Sequence, residues 1–176
     1  MTDITHGTWI KDGKAVDAVY QGGIKVYGRN LYTDTRNFDN LSAWAGSSYW
    51  NKTGEKFNGL TVMATDQDWN GLRKSIQTKK GETYTYSVYA RYKSGTGTSA
   101  IVTGNNGANP NPNMSRVSLD TTWQRVSFTT SATADGYMDI GLVRFSLNEN
   151  TLLIAGLKLE MVSVPTPWTQ APEDVM

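Results

Sequence analysis

Apolar and polar residues alternate with a period of two, in segment after segment, from residue 59 to residue 162. Residues 59–66 place Leu60, Val62 and Ala64 on one side, and residues 72–78 put Leu72 and Ile76 together. Residues 82–92 set Tyr84, Tyr86, Val88 and Ala90 against Thr83, Thr85, Ser87, Tyr89 and Arg91. Residues 123–130 turn Val126 and Phe128 inward, and residues 137–147 set Met138, Ile140 and Leu142 against Tyr137, Asp139, Val143 and Phe145. Residues 151–162 align Leu153, Ala155, Leu157 and Leu159. Successive side chains of a strand point to opposite faces, so each pattern reads as a strand with one face buried. Turn residues separate the segments and no stretch carries a helical period. The expectation is an all-β, antiparallel, two-sheet sandwich. The polar run from Ser94 to Ser115 holds one short strand near Ala100 to Thr103, and its Asn, Gly and Pro content makes the remainder a loop.

The 176 residues fit one domain with short appendages and bury a core without disulfide staples, which the absence of cysteine requires. Residues 1–28 differ in texture. Asp12-Gly13 and Gly22-Gly23 sit between short β-prone runs and signal small hairpins. Such a ribbon buries little alone, so it reads as an attachment arm, the alternative being a strand added to the main sheet. Residues 29–163 form the module and residues 164–176 a C-terminal linker or tail.

Lysine and arginine total 17 against 16 aspartates and glutamates, so no basic field exists for nucleic acid or an anionic membrane. The apolar runs are too short to span a bilayer, and the N-terminal residues lack the pattern of a signal peptide. The chemistry-bearing side chains are scarce. There is no cysteine, and the single histidine, His6, lies near the N-terminus, away from any triad or zinc pattern. Glycoside hydrolysis needs two carboxyls at a set separation. Asp66 and Asp68 look like turn formers and Asp139 sits mid-strand, so the chain reads as a non-enzyme.

What the chain has instead is rings, with six tryptophans and nine tyrosines. An aromatic face carries negative quadrupole charge and a pyranose offers a face of C–H bonds, so the two stack while hydroxyls find polar partners. Trp69 lies in the polar run Asp66-Gln67-Asp68-Trp69-Asn70-Gly71 and is the best candidate for such a contact, against the alternative of a lid folded onto the sandwich. Tyr49 and Trp50, in Gly46-Ser47-Ser48-Tyr49-Trp50-Asn51-Lys52, are further candidates. Tyr89 and Arg91 point the same way from one strand. They are a ring-plus-donor pair if that face is concave and surface decoration if it is convex. Asn105, Asn106 and Arg116 border the long loop as hydrogen-bonding candidates. Trp44 and Trp123 read as core, and Trp9 and Trp168 as anchors of the arms.

The order of Asn30-Leu31, Trp69-Asn70-Gly71-Leu72, Gly81-Glu82-Thr83-Tyr84-Thr85-Tyr86-Ser87, Thr122-Trp123-Gln124-Arg125-Val126-Ser127-Phe128 and Ile154-Ala155-Gly156-Leu157-Lys158-Leu159-Glu160 resembles the jelly-roll carbohydrate-binding modules of glycoside hydrolases. It is closer to the versions in tail and baseplate proteins of phages infecting Gram-positive bacteria. Gly7-Thr8-Trp9-Ile10-Lys11-Asp12-Gly13 and Pro165-Thr166-Pro167-Trp168-Thr169-Gln170-Ala171-Pro172 look like the flanking segments of those proteins. The resemblance implies a jelly roll whose sheet or edge loops bind sugar without chemistry. It implies host cell-wall polysaccharide and other tail or baseplate proteins as partners and the virion as location, with a tail spacer that binds no sugar as the alternative. It also implies a structural calcium near Glu160 and Asn30, with Asp34 as a further donor. No contiguous acidic loop is present to supply its six or more oxygens.

Overall fold

The computed structural model describes residues 2–5, 8–104, 113–145 and 149–175, with the backbone alone for residues 2–5 and 8. Its strands are β1 (Thr2–Thr5), β2 (Thr8–Lys11), β3 (Lys14–Ala15), β4 (Ala18–Gln21), β5 (Ile24–Gly28), β6 (Asn51–Phe57), β7 (Leu60–Thr65) and β8 (Ile76–Thr78). They continue as β9 (Thr83–Tyr92), β10 (Gly97–Thr103), β11 (Met114–Leu119), β12 (Gln124–Ser131), β13 (Gly136–Met138), β14 (Ile140–Arg144) and β15 (Leu152–Glu160). Among the described residues the helical elements are short 3-10 turns at Leu41–Ala43, Ser47–Tyr49 and Pro172–Asp174.

One layer is a five-stranded antiparallel sheet in the order β12-β9-β15-β7-β6. The other is built from the sheet β11-β10-β14 and the pair β13-β8. The chain leaves β9 for β10 and β11 in the opposite layer, then returns with β12 to pair beside β9. Between the layers lies the main core, in which Tyr86, Val88 and Ala90 of β9 and Leu152 and Ile154 of β15 meet Ile101, Ile140 and Leu142. The long alternation in 82–92 thus becomes a ten-residue strand with its apolar side inward.

The last predicted strand departs from its pattern. The register of β15 against β9 shifts between Ala155 and Lys158, and Gly156 at the shift has φ of 60°. A Cβ there would come within 2.7 Å of Leu60 Cδ1, so glycine is required by both conformation and space. The bulge splits the four aligned residues. Leu153 and Ala155 pack on the outer face of the five-stranded sheet, whereas Leu157 and Leu159 enter the main core. An extra residue in a strand exchanges the faces of everything beyond it. Two further differences concern missed strands. Residues 51–57 form the edge strand β6, exposed except for Phe57, and β11 occupies the end of the segment read as a loop. Neither has a contiguous apolar face to reveal it. Leu72 is buried outside any strand; the next residue, Arg73, makes an isolated bridge with Ala45, and the strand itself begins only at Ile76.

At the N-terminus the predicted turns hold. β2 and β3 flank Asp12-Gly13, and β4 and β5 flank Gly22-Gly23. These ribbons pair among themselves and add no strand to the larger sheets among the described residues.

Candidate functional site

Outside the main core, two groups of rings bear on the candidate site. The first is at the end of the sandwich where β7 leads into residues 66–71. Arg144, at the end of β14, donates from Nε to Asp68 Oδ1 at 2.7 Å and from Nη1 to the Asn150 carbonyl at 3.2 Å. Its own carbonyl accepts the Trp69 backbone N–H at 3.0 Å, and Asn70 Nδ2 donates to the Asp68 carbonyl at 2.8 Å. These bonds hold Trp69 at φ 64°, a left-handed conformation costly for a bulky residue. The strain turns the indole outward, where it is 49% exposed. Phe145, the residue after Arg144, packs on it with ring centroids 4.8 Å apart. Exposed Arg116 places its guanidinium carbon 4.6 Å from the Phe145 centroid. β11 carries Arg116 there by pairing it with Ala100, which pairs on its other side with Val143. Trp69 and Arg116, distant in sequence, are thus joined through Phe145. Sequence reasoning assigned Phe145 to a strand face, and only the meeting of three chain segments reveals its role.

Tyr49 is also exposed, at 47%, and its carbonyl accepts from Thr65 Oγ1, just before the Trp69 loop. Trp50 is corrected. It is 2% exposed, belongs to the main core, and donates from Nε1 to the Asn70 carbonyl at 2.8 Å. Its polar neighbours in sequence are surface residues, but the extended backbone after the turn at Ser47–Tyr49 points its ring inward. Trp50 therefore supports the Trp69 loop from beneath. Asn105 and Asn106 lie outside the described residues.

The second group is on the outer face of the five-stranded sheet. Tyr89 pairs with Arg125 on β12 and Ala155 on β15, and Arg91 with Leu153. Phe57 stacks on Trp123 at 4.4 Å and 23° and meets Tyr89 edge-on at 5.1 Å. Arg125 lies over the Tyr89 ring at 4.5 Å and Arg91 over Trp123 at 5.1 Å, with Glu55 3.7 Å from Arg91. Burial lowers the Arg125 guanidinium below its ordinary value. Leu60, Val62, Leu153, Ala155 and Trp168 complete this cluster. Tyr89 and Arg91 are thus brought onto one face as expected, but the rings there are engaged by one another and by guanidinium groups. Trp123 belongs to this second cluster, while Trp44 lies in the main core as expected. Trp69, by contrast, is half exposed and keeps part of its ring surface in water.

The residues expected at a calcium site are otherwise employed. Asn30 Oδ1 accepts the backbone N–H groups of Tyr32 and Leu159, and its Nδ2 donates to Thr35 Oγ1, Leu157 O and Thr169 O. Asp34 accepts from the backbone N–H groups of Asp39 and Asn40. Glu160 faces a lysine ammonium, that of Lys158. Burial lowers Lys158 to about 8, partly opposed by Glu160. One carboxylate beside a cation is not the ligand set of calcium, which takes six to eight oxygens, so these residues do not fit the ion. Among the described residues no group of three or more His, Cys, Asp or Glu side chains is placed to hold a metal.

No protein-family model matches the chain, and no curated protein matches it. Solved structures do. The CBM22-1 xylan-binding domain of Paenibacillus barcinonensis Xyn10C superposes with a TM-score of 0.51 at 15% identity, over 66% of this chain and 87% of that one. TmCBM61, solved with β-1,4-galactotriose, gives 0.56 at 11% identity, over 77% of this chain and 100% of that one. The enzymatically active domain of bacteriophage CBA120 tailspike protein 4 gives 0.54 at 12% identity, over 76% of this chain but 21% of that one. The fold is the all-β sandwich of carbohydrate-binding modules. At such identities the likeness is one of fold.

Proposed function

We propose that this chain is a non-catalytic saccharide-binding module of a phage tail or baseplate that adheres to host cell-wall polysaccharide. The observation that carries the reading is the outward indole of Trp69, held in a strained backbone conformation by Asp68 and Arg144. Strain of this kind is maintained where a side chain must be presented. A pyranose laid on the exposed indole surface would have the Arg116 guanidinium and the Tyr49 hydroxyl as rim donors. The sandwich beneath supplies rigidity, so little ordering cost accompanies binding. The outer sheet face, with Tyr89, Arg91 and Trp123, is a second surface on which a longer glycan would lie.

The tail setting is supported by the resemblance of the flanking segments and by the N-terminal ribbon. Tyr20, Ile24 and Val26 are exposed on the β4–β5 hairpin. Ile24 and Val26 share one face of this ribbon and Tyr20, paired with Lys25, lies on the other, so both faces offer apolar side chains for docking on another tail protein. Several copies on a multimeric tail would raise a weak single-site affinity by avidity.

The test is binding of the fluorescently labelled module to host cells and to purified wall polysaccharide, with Trp69→Ala as the variant. Loss of binding with an unchanged far-UV spectrum is expected. Undiminished binding removes Trp69 from the site, and absence of binding by the parent protein favours a spacer role. Release of reducing ends would overturn the non-catalytic reading.

A further inference from the structure

Two ionisable side chains, Lys158 and Glu160, are wholly buried, both at 0% exposure. They project from the same side of β15 beyond the bulge, beneath the C-terminal segment. Lys158 Nζ donates to Thr166 Oγ1 at 2.7 Å and to the Pro167 carbonyl at 2.8 Å, and lies 3.6 Å from Glu160 Oε2. An ammonium has three protons, and three oxygens surround it. The Tyr27 ring closes the remaining side, 5.7 Å from Nζ. Glu160 accepts the Thr166 backbone N–H at Oε1, 2.8 Å, and the Thr166 hydroxyl at Oε2, 2.7 Å. Thr166 Oγ1 accepts in turn from the Gly28 N–H at 3.2 Å. The hydroxyl therefore uses one donor and two acceptor positions, its full capacity.

The cluster ties three separate parts of the chain: the end of the N-terminal hairpin at Tyr27–Gly28, the core strand β15, and the C-terminal segment at Thr166–Pro167. A divalent cation in a sandwich of this kind would serve by drawing oxygens of separate segments onto one positive centre. Here the oxygens are drawn onto Lys158. We infer that the Lys158 ammonium is the built-in cation of this module and fastens both terminal segments to β15 without a divalent metal. Free energy that a metal site supplies only when loaded is here part of the covalent chain. The module then keeps its arms in place in calcium-free surroundings.

The experiment compares thermal midpoints of the full chain in EDTA and in millimolar calcium, with calorimetric titration by calcium chloride. Equal midpoints and no binding heat are expected. A midpoint that rises with calcium or falls with EDTA overturns the inference. Lys158→Met retains length but removes the charge in contact with Glu160, leaving the buried carboxylate with only the more remote Arg125 guanidinium as a cation. It should lower the midpoint by several degrees and speed proteolytic loss of the C-terminal segment, followed by mass spectrometry. Lys158→Met/Glu160→Gln, which removes both charges, should regain part of the loss. If Lys158→Met does not fold, the double variant is read in its place, and its failure to recover folding counts against the inference. A Lys158→Met protein as stable and as protease-resistant as the parent overturns it as well.

Discussion

Asp68 and Arg144 meet at 2.7 Å, and the next residue of each chain segment, Trp69 and Phe145, forms the exposed ring pair. The ion pair is thus the base on which the indole is aimed. Arg144 is nearly buried, so removing its partner leaves a charge held by the Asn150 carbonyl. Asp68→Ala should cost about 1.5–3 kcal/mol of stability, the range for hydrogen bonds to charged groups. It should also weaken saccharide binding although Asp68 need not touch the ligand. Urea midpoints and binding isotherms on the same preparation check both, and unchanged affinity would separate the pair from the site.

The left-handed backbone at Trp69 yields a sharper comparison. Glycine adopts that conformation freely, whereas alanine pays roughly 1–2 kcal/mol for it. Trp69→Gly should therefore be more stable than Trp69→Ala by about that amount, while both lose saccharide binding alike. Equal stability of the two would mean that the loop relaxes when the indole is removed, so that the strain exists only to display it.

The layers of the sandwich could be read from the alternation in 82–92 and 123–130, whose apolar faces turn to the main core, whereas in 59–66 the alternating Leu60 and Val62 pack on the outer face of the sheet and Met63 enters the main core. The reading failed at Gly156, where a single bulge residue reverses which side chains face the core. It failed at β6 for the opposite reason, since an exposed edge strand of Asn, Lys, Thr, Gly and Glu has no apolar face to leave a trace. In the candidate site, the exposure of Trp69 was legible from its polar neighbours. Trp50 was misread by the same rule, because local polarity does not report which way an extended backbone turns one ring. Phe145 was invisible as a site residue, since its contact with Trp69 and Arg116 depends on pairing across β10.

The contrast between these tryptophans can be measured. Trp50 is packed in the main core with its N–H bonded to the Asn70 carbonyl. Trp50→Ala should cost about 3–5 kcal/mol, as for other large buried rings. Trp50→Phe, which keeps a ring but loses the N–H bond, should cost less and leave binding to purified polysaccharide within a few-fold of the parent. A Trp50→Phe protein of parental stability that no longer binds would instead put Trp50 in the ligand site.

Glu82 gives the expected acid dependence. Its carboxylate accepts the Tyr84 hydroxyl and, at 2.9 Å, the Lys79 backbone N–H, and these bonds hold its pKa below the ordinary glutamate value. In the window between the lowered folded value and the ordinary one, the unfolded chain binds more protons than the folded one, so stability rises with pH there. The contribution is complete above the ordinary value and is lost as pH falls through the folded value. Glu82→Gln removes this titration. The gap in urea midpoint between parent and Glu82→Gln should be widest near neutrality and close as the pH falls through the lowered folded value. Comparing the two proteins at each pH cancels the titration of Asp120, whose carboxyl is likewise held low, chiefly by the Thr122 backbone N–H. A gap that stays constant into acid would mean that the substituted amide differs from the Glu82 side chain in packing or geometry rather than in the charge the two donors stabilise.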